Sequence, residues 1–258
     1  TEHLGKTISE IASEKAGIIK PHIPCVVGKR EEASGVIFRK EAQAKHAELY
    51  FLDDVAEIRN MELSMDGSCF DLKINWPWAS VDLKHLLVKL AGEHQIHNAV
   101  LSVAAALQQT KFTISEDHIR NGLRSVDWKA RLELISRDPF VLLDAAHNPP
   151  GMKQLRRSLE TIYRPHFPKM ILIIGMLADK EYESAVGEIL PSFDFIYTVT
   201  PNSPRALDGK VLEGTVRKRT KNVRFVESIA RAVKEAQSEM SKEDLLVIAG
   251  SHFVLSEI

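Results

Sequence analysis

The apolar run Phe140-Val141-Leu142-Leu143 ends on Asp144-Ala145-Ala146-His147-Asn148-Pro149, so a carboxylate and an imidazole three residues apart stand where a strand gives way to a helix start. In an open α/β sheet, ligands bind beyond the carboxyl ends of the strands. A carboxylate there accepts from a hydroxyl, an imidazole donates or takes a proton, and the helix N-terminus favours an anion. On spacing alone two roles stay open: the pair holds a ligand, or Asn148 caps the helix while Asp144 braces the loop.

Other side chains of chemical interest are scattered. Arg131 opens the preceding strand, where a guanidinium either reaches a phosphate or is an ordinary solvated charge. Lys15 falls on the apolar side of a helix with Ile8 and Ile11, so it either snorkels or serves a purpose. Gly5-Lys6-Thr7 has the ending of a phosphate-binding P-loop, but no strand precedes it, and the match is read as accidental. Trp76-Pro77-Trp78 either stacks on a flat ring or pins a loop to a core. His22, His46, His85 and His118 follow no metal-ligand spacing, and Cys25 and Cys69 form no CxxC, which argues for idle or buried thiols.

The elements that must position these groups are legible as periods. Thr7 with Glu10 forms a capping box ahead of a helix that Gly17 ends. A strand at 24–27, a helix at 34–47, a strand at 49–52 and a hairpin of 62–64 and 69–74 turned by Asp66-Gly67 follow. Residues 95–109 have a helical period apolar nearly all round, which predicts a buried helix. Beyond a linker at 125–129, strands are predicted at 132–135, 140–144, 170–175, 195–200, 223–226 and 245–249. Helical stripes at Met152, Leu155, Leu159, Ile162 and at Ile229, Val233, Ala236, Met240 separate them. Continuous apolar strands alternating with helices are the mark of a doubly wound, mostly parallel sheet.

The chain has 258 residues, 44% hydrophobic and 27% charged, with a formal net charge of -1, a balance that points to small-molecule substrates and to neither nucleic acid nor an anionic membrane. No apolar stretch is long enough for a membrane span, and a cytoplasmic location is expected. The sequence starts at Thr1 without an initiator methionine, so a piece of a longer protein is expected.

Leu4-Gly5-Lys6-Thr7-Ile8, Glu14-Lys15-Ala16-Gly17-Ile18-Ile19-Lys20-Pro21, Gly92-Glu93-His94-Gln95 with Asn98-Ala99, Arg131-Leu132-Glu133 and Leu143-Asp144-Ala145-Ala146-His147-Asn148-Pro149, in that order, resemble folylpolyglutamate synthase/dihydrofolate synthase, a branch of the Mur ligase superfamily. The resemblance implies an ATP-dependent amide ligase: ATP phosphorylates a folate or dihydropteroate carboxylate, and the amine of L-glutamate displaces phosphate from the acyl phosphate. It implies that residues 1–128 are the remainder of a P-loop-type ATPase domain and 129–258 a Rossmann-like glutamate-ligase domain. It further implies that Lys15 is carbamylated and ligates Mg2+, a neutral amine being favoured by its apolar face. Asn98, Arg131 and Asp144 would hold ATP, with Arg131 reaching the phosphates and Asp144 a ribose hydroxyl. His147 and, more weakly, Ser251 would serve glutamate.

By the same resemblance the P-loop, the magnesium-binding serine and glutamate and a magnesium-ligand histidine precede Thr1, so His3 is not that ligand and the 258 residues alone are expected to be inactive. The whole enzyme is expected to be monomeric. The alternatives are a Mur-type cell-wall amino-acid ligase, which Glu14 to Ile18 and Gly92 to Gln95 disfavour, and a non-catalytic nucleotide- or glutamate-binding module. A dehydrogenase is disfavoured because no strand is followed by G-x-G-x-x-G.

Overall fold

Residues 7–29 and 31–258 are described by a computed structural model; His3 and the Leu4-Gly5-Lys6 part of the first motif lie outside them. Two units divide the chain, one of Ser68–Lys89, Glu93–Val126 and the residues up to Glu62, the other of Leu63–Gly67, Leu90–Gly92 and Asp127–Ile258. The sequence suggested a single cut at 128/129; the short segments at 63–67 and 90–92 group instead with the second unit.

In the first unit, α1 (Ile8–Ala16) starts on the expected box: Thr7 Oγ1 accepts from the Glu10 N–H at 3.2 Å, and Glu10 Oε2 accepts from the Thr7 N–H at 3.0 Å. Its buried face differs from the one expected. Ala12 and Ala16 are buried, Ile8 is 60% exposed, and Lys15 is exposed. The small alanines set the contact, with Ala16 and Ile19 packing against Ala42 of α2 (Glu32–Ala44). Lys15 therefore stands in water, and burial does not strip its ammonium of solvent.

β1 (Cys25–Val27) pairs in parallel with β2 (Leu49–Phe51), and α3 (Leu52–Val55) leads to a three-stranded sheet of β3 (Ala56–Ser64), β4 (Gly67–Asn75) and β5 (Ser80–Val88). β5 escaped the sequence reading because buried and exposed residues alternate irregularly along it. Trp76, buried, and Trp78, exposed, lie in the turn before it with rings 5.8 Å apart, and Tyr50 meets both edge-on. α4 (Glu93–Gln108) buries Gln95, Ile96, Ala99, Val100, Val103 and Ala104. Asn98, Ser102 and Ala105 are exposed, so this helix is one-sided rather than enclosed. α5 (Glu116–Ser125), capped by Ser115, was missed because only Ile119 and Leu123 on it are buried.

The second unit carries six strands, each within two residues of its expected bounds: β6 (Glu133–Arg137), β7 (Phe140–Asp144), β8 (Met170–Ile174), β9 (Phe195–Thr198), β10 (Val223–Phe225) and β11 (Leu245–Ala249). Their order is β10-β9-β8-β11-β7-β6; all neighbours are parallel except β6 with β7. Helices α6 (Pro149–Ser158, continued by a π-turn at Leu159–Tyr163), α7 (Tyr182–Ile189), α8 (Gly209–Arg217), α9 (Ile229–Glu239) and α10 (His252–Leu255) join or follow them.

Strand period sorts the core into two layers. Met170, Leu172, Ile174, Leu245, Val247 and Ala249 face Met152, Leu155, Ala185, Val186, Leu212 and Val216 of α6, α7 and α8. Ile171, Ile173, Leu246 and Ile248 face Ile229, Ala232 and Ala236 of α9 and Val254 of α10. Fully apolar strands result because both faces are covered. After β7 the chain leaves for one face and after its neighbour β11 for the other, which opens a crevice between their carboxyl ends.

Candidate functional site

β7 and β11 run in register from Phe140 beside Leu245 to Asp144 beside Ala249. The Gly250 N–H donates to the Ala146 carbonyl at 3.0 Å, which holds the two exits together. Gly250 has φ +114, and a Cβ on it would lie 2.3 Å from the Gly175 carbonyl oxygen, so only glycine fits. Asn148 caps α6 by accepting from the Gly151 N–H at 2.8 Å, with Pro149 and Pro150 in its first turn.

Asp144 is 7% exposed, and each carboxylate oxygen accepts a backbone N–H: Oδ2 from Leu132 at 3.0 Å and Oδ1 from Ala146 at 2.9 Å. Burial pushes its carboxyl above the usual range, while those two N–H groups and the Arg131 guanidinium pull the other way. The bracing role left open by the sequence is thus present. A carboxylate offers about four lone-pair sites, so two accepted bonds leave room for a ligand hydroxyl.

What Asp144 braces is the segment around Arg131. The sequence put Arg131 at the start of a strand; it lies instead in the loop before β6, between Ala130 at φ +59 and Leu132 at φ +48. Neither residue can be extended there, and each left-handed non-glycine costs about 1–3 kcal/mol. The surroundings hold them: the Ala130 N–H donates to Glu133 Oε2 at 2.7 Å, the Ala145 N–H to the Ala130 carbonyl at 3.0 Å, and Leu132 to Asp144. Lys129 pairs with Glu133 at 3.2 Å. The guanidinium itself makes one bond, Nη1 to its neighbour Ala130 O at 3.1 Å.

His147 Nδ1 is 2.9 Å from the Ala145 carbonyl, an acceptor, so Nδ1 carries the proton and Nε2 keeps its lone pair in the neutral ring. Ser251, 2% exposed, caps α10 by accepting from the Val254 N–H at 3.2 Å, so its hydroxyl oxygen is turned into the protein. Next to it stands His252, which the sequence reading passed over. Burial first, then the charges of Arg131 and His147, hold its imidazole below the usual histidine range. The signal was present: Ser251-His252 follows β11 as Ala146-His147 follows β7.

Arg131, Asp144, His147 and Ser251 are thus gathered within one unit by the β7 and β11 exits. Lys15 and Asn98 belong to the first unit, on α1 and α4; Asn98 is exposed, and its side-chain N–H donates to Gln95 Oε1 at 3.1 Å. Among the described residues no three of His, Cys, Asp and Glu converge on a point that could hold a metal ion. Lys15, if carbamylated, would supply a single oxygen donor group. These residues do not make up a magnesium site by themselves.

Comparison with known proteins agrees with this geometry. Residues 130–252 match the family described as Mur ligase, glutamate ligase domain. The chain is 30% identical over 258 residues to dihydrofolate synthase/folylpolyglutamate synthase of Bacillus subtilis, covering 99% of this chain and 58% of that protein. It superposes on Mycobacterium tuberculosis folylpolyglutamate synthase complexed with ADP with a TM-score of 0.87 and 26% identity, covering 98% of this chain and 59% of that one. It also superposes on E. coli FolC in complex with DHPP and ADP, with a TM-score of 0.84 and 25% identity, over 100% of this chain and 57% of that one. It therefore spans somewhat under three fifths of the length of these relatives. Residues 130–252, which hold the β7 and β11 exits, match a glutamate ligase domain, and the chain as a whole is similar to folylpolyglutamate synthase/dihydrofolate synthase.

Proposed function

We propose that this chain supplies part of an ATP-dependent ligase that joins L-glutamate to folate or dihydropteroate through an acyl phosphate. The observation that carries the proposal is the crevice itself, where a strained, braced loop presents Arg131 beside His147 and buried Asp144, within the stretch matched to a glutamate ligase domain. Forming an amide from a carboxylate needs a phosphate leaving group and a neutral amine; positioning and charge neutralisation then do most of the catalysis.

Arg131 neutralises phosphate charge, Asp144 takes a ribose hydroxyl on its remaining lone pairs, and Asn98 contributes a third contact to ATP. His147 Nε2 accepts one proton from the glutamate ammonium, the freed nitrogen lone pair attacks the acyl carbon, and the departing phosphate takes the second proton as the amide forms. Ser251 shapes the loop at the glutamate end. Magnesium, when bound, neutralises phosphate charge, and carbamylated Lys15 would be this chain's donor to it. In this scheme residues 1–128 belong to an ATPase domain whose P-loop is not among the 258 residues.

Calorimetric titration with ADP tests the proposal. The chain binds ADP, and Arg131→Ala weakens binding by about tenfold or more with little change in stability, since its guanidinium makes one local bond. No ADP binding at millimolar concentration, or equal binding by Arg131→Ala, refutes the nucleotide role. Incubated with ATP, magnesium, a tetrahydrofolate and glutamate, the chain alone releases no ADP; release would refute the expectation that it is inactive by itself.

A further inference from the structure

His252 takes no part in the scheme above, yet the fold carries it to the same crevice. Gly250 is bonded to Ala146 at 3.0 Å, which sets residue 252 two positions beyond one strand exit and residue 147 one position beyond the bonded residue of the other. The Ala145 N–H to Ala130 carbonyl bond, also 3.0 Å, brings the Arg131 loop against the same edge. Arg131 and His147 are the two basic groups that act on His252. The one carboxylate at this edge, Asp144, is buried and already accepts two backbone N–H groups. Toward the loop after β8, Asp179 pairs with Lys180 at 3.8 Å and with Arg205 at 3.2 Å, so that carboxylate is already held by two cations. Three basic side chains therefore share one edge, where the Asp144 carboxylate is occupied by backbone N–H groups, and His252, partly covered by its surroundings, is able to change its charge.

We propose that His252, with Arg131 and His147, forms an oxyanion subsite that takes up a proton on His252 when a carboxylate or phosphate group binds. This deepens the ligase function and rests on it for the nature of the ligand. Without a ligand, burial and the neighbouring Arg131 guanidinium disfavour a positive charge on His252; a bound anion reverses that balance. Affinity for the anion therefore strengthens as pH falls through the ligand-bound titration of His252 and levels off below the titration of the free protein. Between about pH 7.5 and pH 5.5 the gain is about tenfold, the usual scale of one imidazole beside one anion.

Imidazole C–H resonances of the whole chain, followed by NMR against pH, give the test, with His252→Gln identifying the His252 signal. Two arms, L-glutamate and inorganic orthophosphate, separate a carboxylate ligand from a phosphate ligand. The expected result is an upward move of the His252 midpoint in at least one arm, with affinity that depends more steeply on pH in the wild type than in His252→Gln, where protonation of the ligand itself still contributes. An unchanged midpoint at saturating anion, the same pH dependence in His252→Gln, or no binding of either anion at about pH 5.5 overturns the subsite. ADP binding that requires Arg131 alongside an unmoved His252 midpoint sinks this inference and leaves the ligase proposal standing. Loss of ADP binding with the His252 shift intact does the reverse.

Discussion

Replacing Asp144 by asparagine exchanges one carboxylate oxygen for an amide NH2 of nearly the same size, in a site that is 7% exposed. The remaining carbonyl oxygen can serve either the Leu132 N–H, now at 3.0 Å from Oδ2, or the Ala146 N–H, now at 2.9 Å from Oδ1. The other N–H then faces a donor. A buried N–H left without an acceptor costs about 1–3 kcal/mol. If Leu132 loses, its left-handed backbone at φ +48 loses its restraint as well. A destabilisation of about 2–3 kcal/mol follows, which lowers Tm by roughly 4–12 °C at this chain length. The pH dependence has a defined sign. Burial raises the folded carboxyl above its unfolded value, so the stability it contributes is fully present below the unfolded value and declines as pH rises through the folded one. The gap between wild type and Asp144→Asn is therefore widest in acid and narrows toward neutrality. Urea or thermal denaturation at several pH values measures both effects. A variant as stable as the wild type but weaker in binding ADP would show that Asp144 holds a ligand and braces nothing; a gap that widens with pH would refute the electrostatic argument.

Two further outcomes rest on single atoms. Tyr163 is fully buried, and its hydroxyl has no hydrogen-bond partner among the described residues, so Tyr163→Phe should gain about 1–2 kcal/mol in urea unfolding; a loss would reveal a partner for that hydroxyl. Gly250→Ala drives a methyl to 2.3 Å from the Gly175 carbonyl at a φ of +114, and should cost more than about 2 kcal/mol and weaken ligand binding at the β11 exit, read by thermal melting and calorimetry.

The strands of the second unit were legible because each is a short apolar run bounded by turn residues, and burial on both faces removes any ambiguity of pattern. The positions of Asp144 and His147 were legible for the same reason: a polar residue that ends such a run stands at the carboxyl edge of the sheet. The first unit was harder. α1 shows why a period is not a face, since Ile8, Ile11, Ala12 and Lys15 share a stripe in sequence while only Ala12 of them is buried and Ala16 packs against Ala42 of α2. Which stripe is buried depends on the partner that arrives, and alanine permits close approach where isoleucine does not. α5 and β5 gave weak signals because few of their residues are buried.

By itself the sequence determined the alternation of strand and helix, the capping box at Thr7 and Glu10, and the place of a carboxylate and imidazole at a strand exit, because each depends on residues close together along the chain. Only the tertiary structure decided that β11 inserts between β8 and β7, which brings His252 to His147, and that Arg131 rides a strained loop held by Asp144. Those pairings join residues 12 to more than 100 positions apart, and backbone geometry at Ala130 and Leu132 is imposed by bonds from elsewhere rather than preferred by the residues themselves.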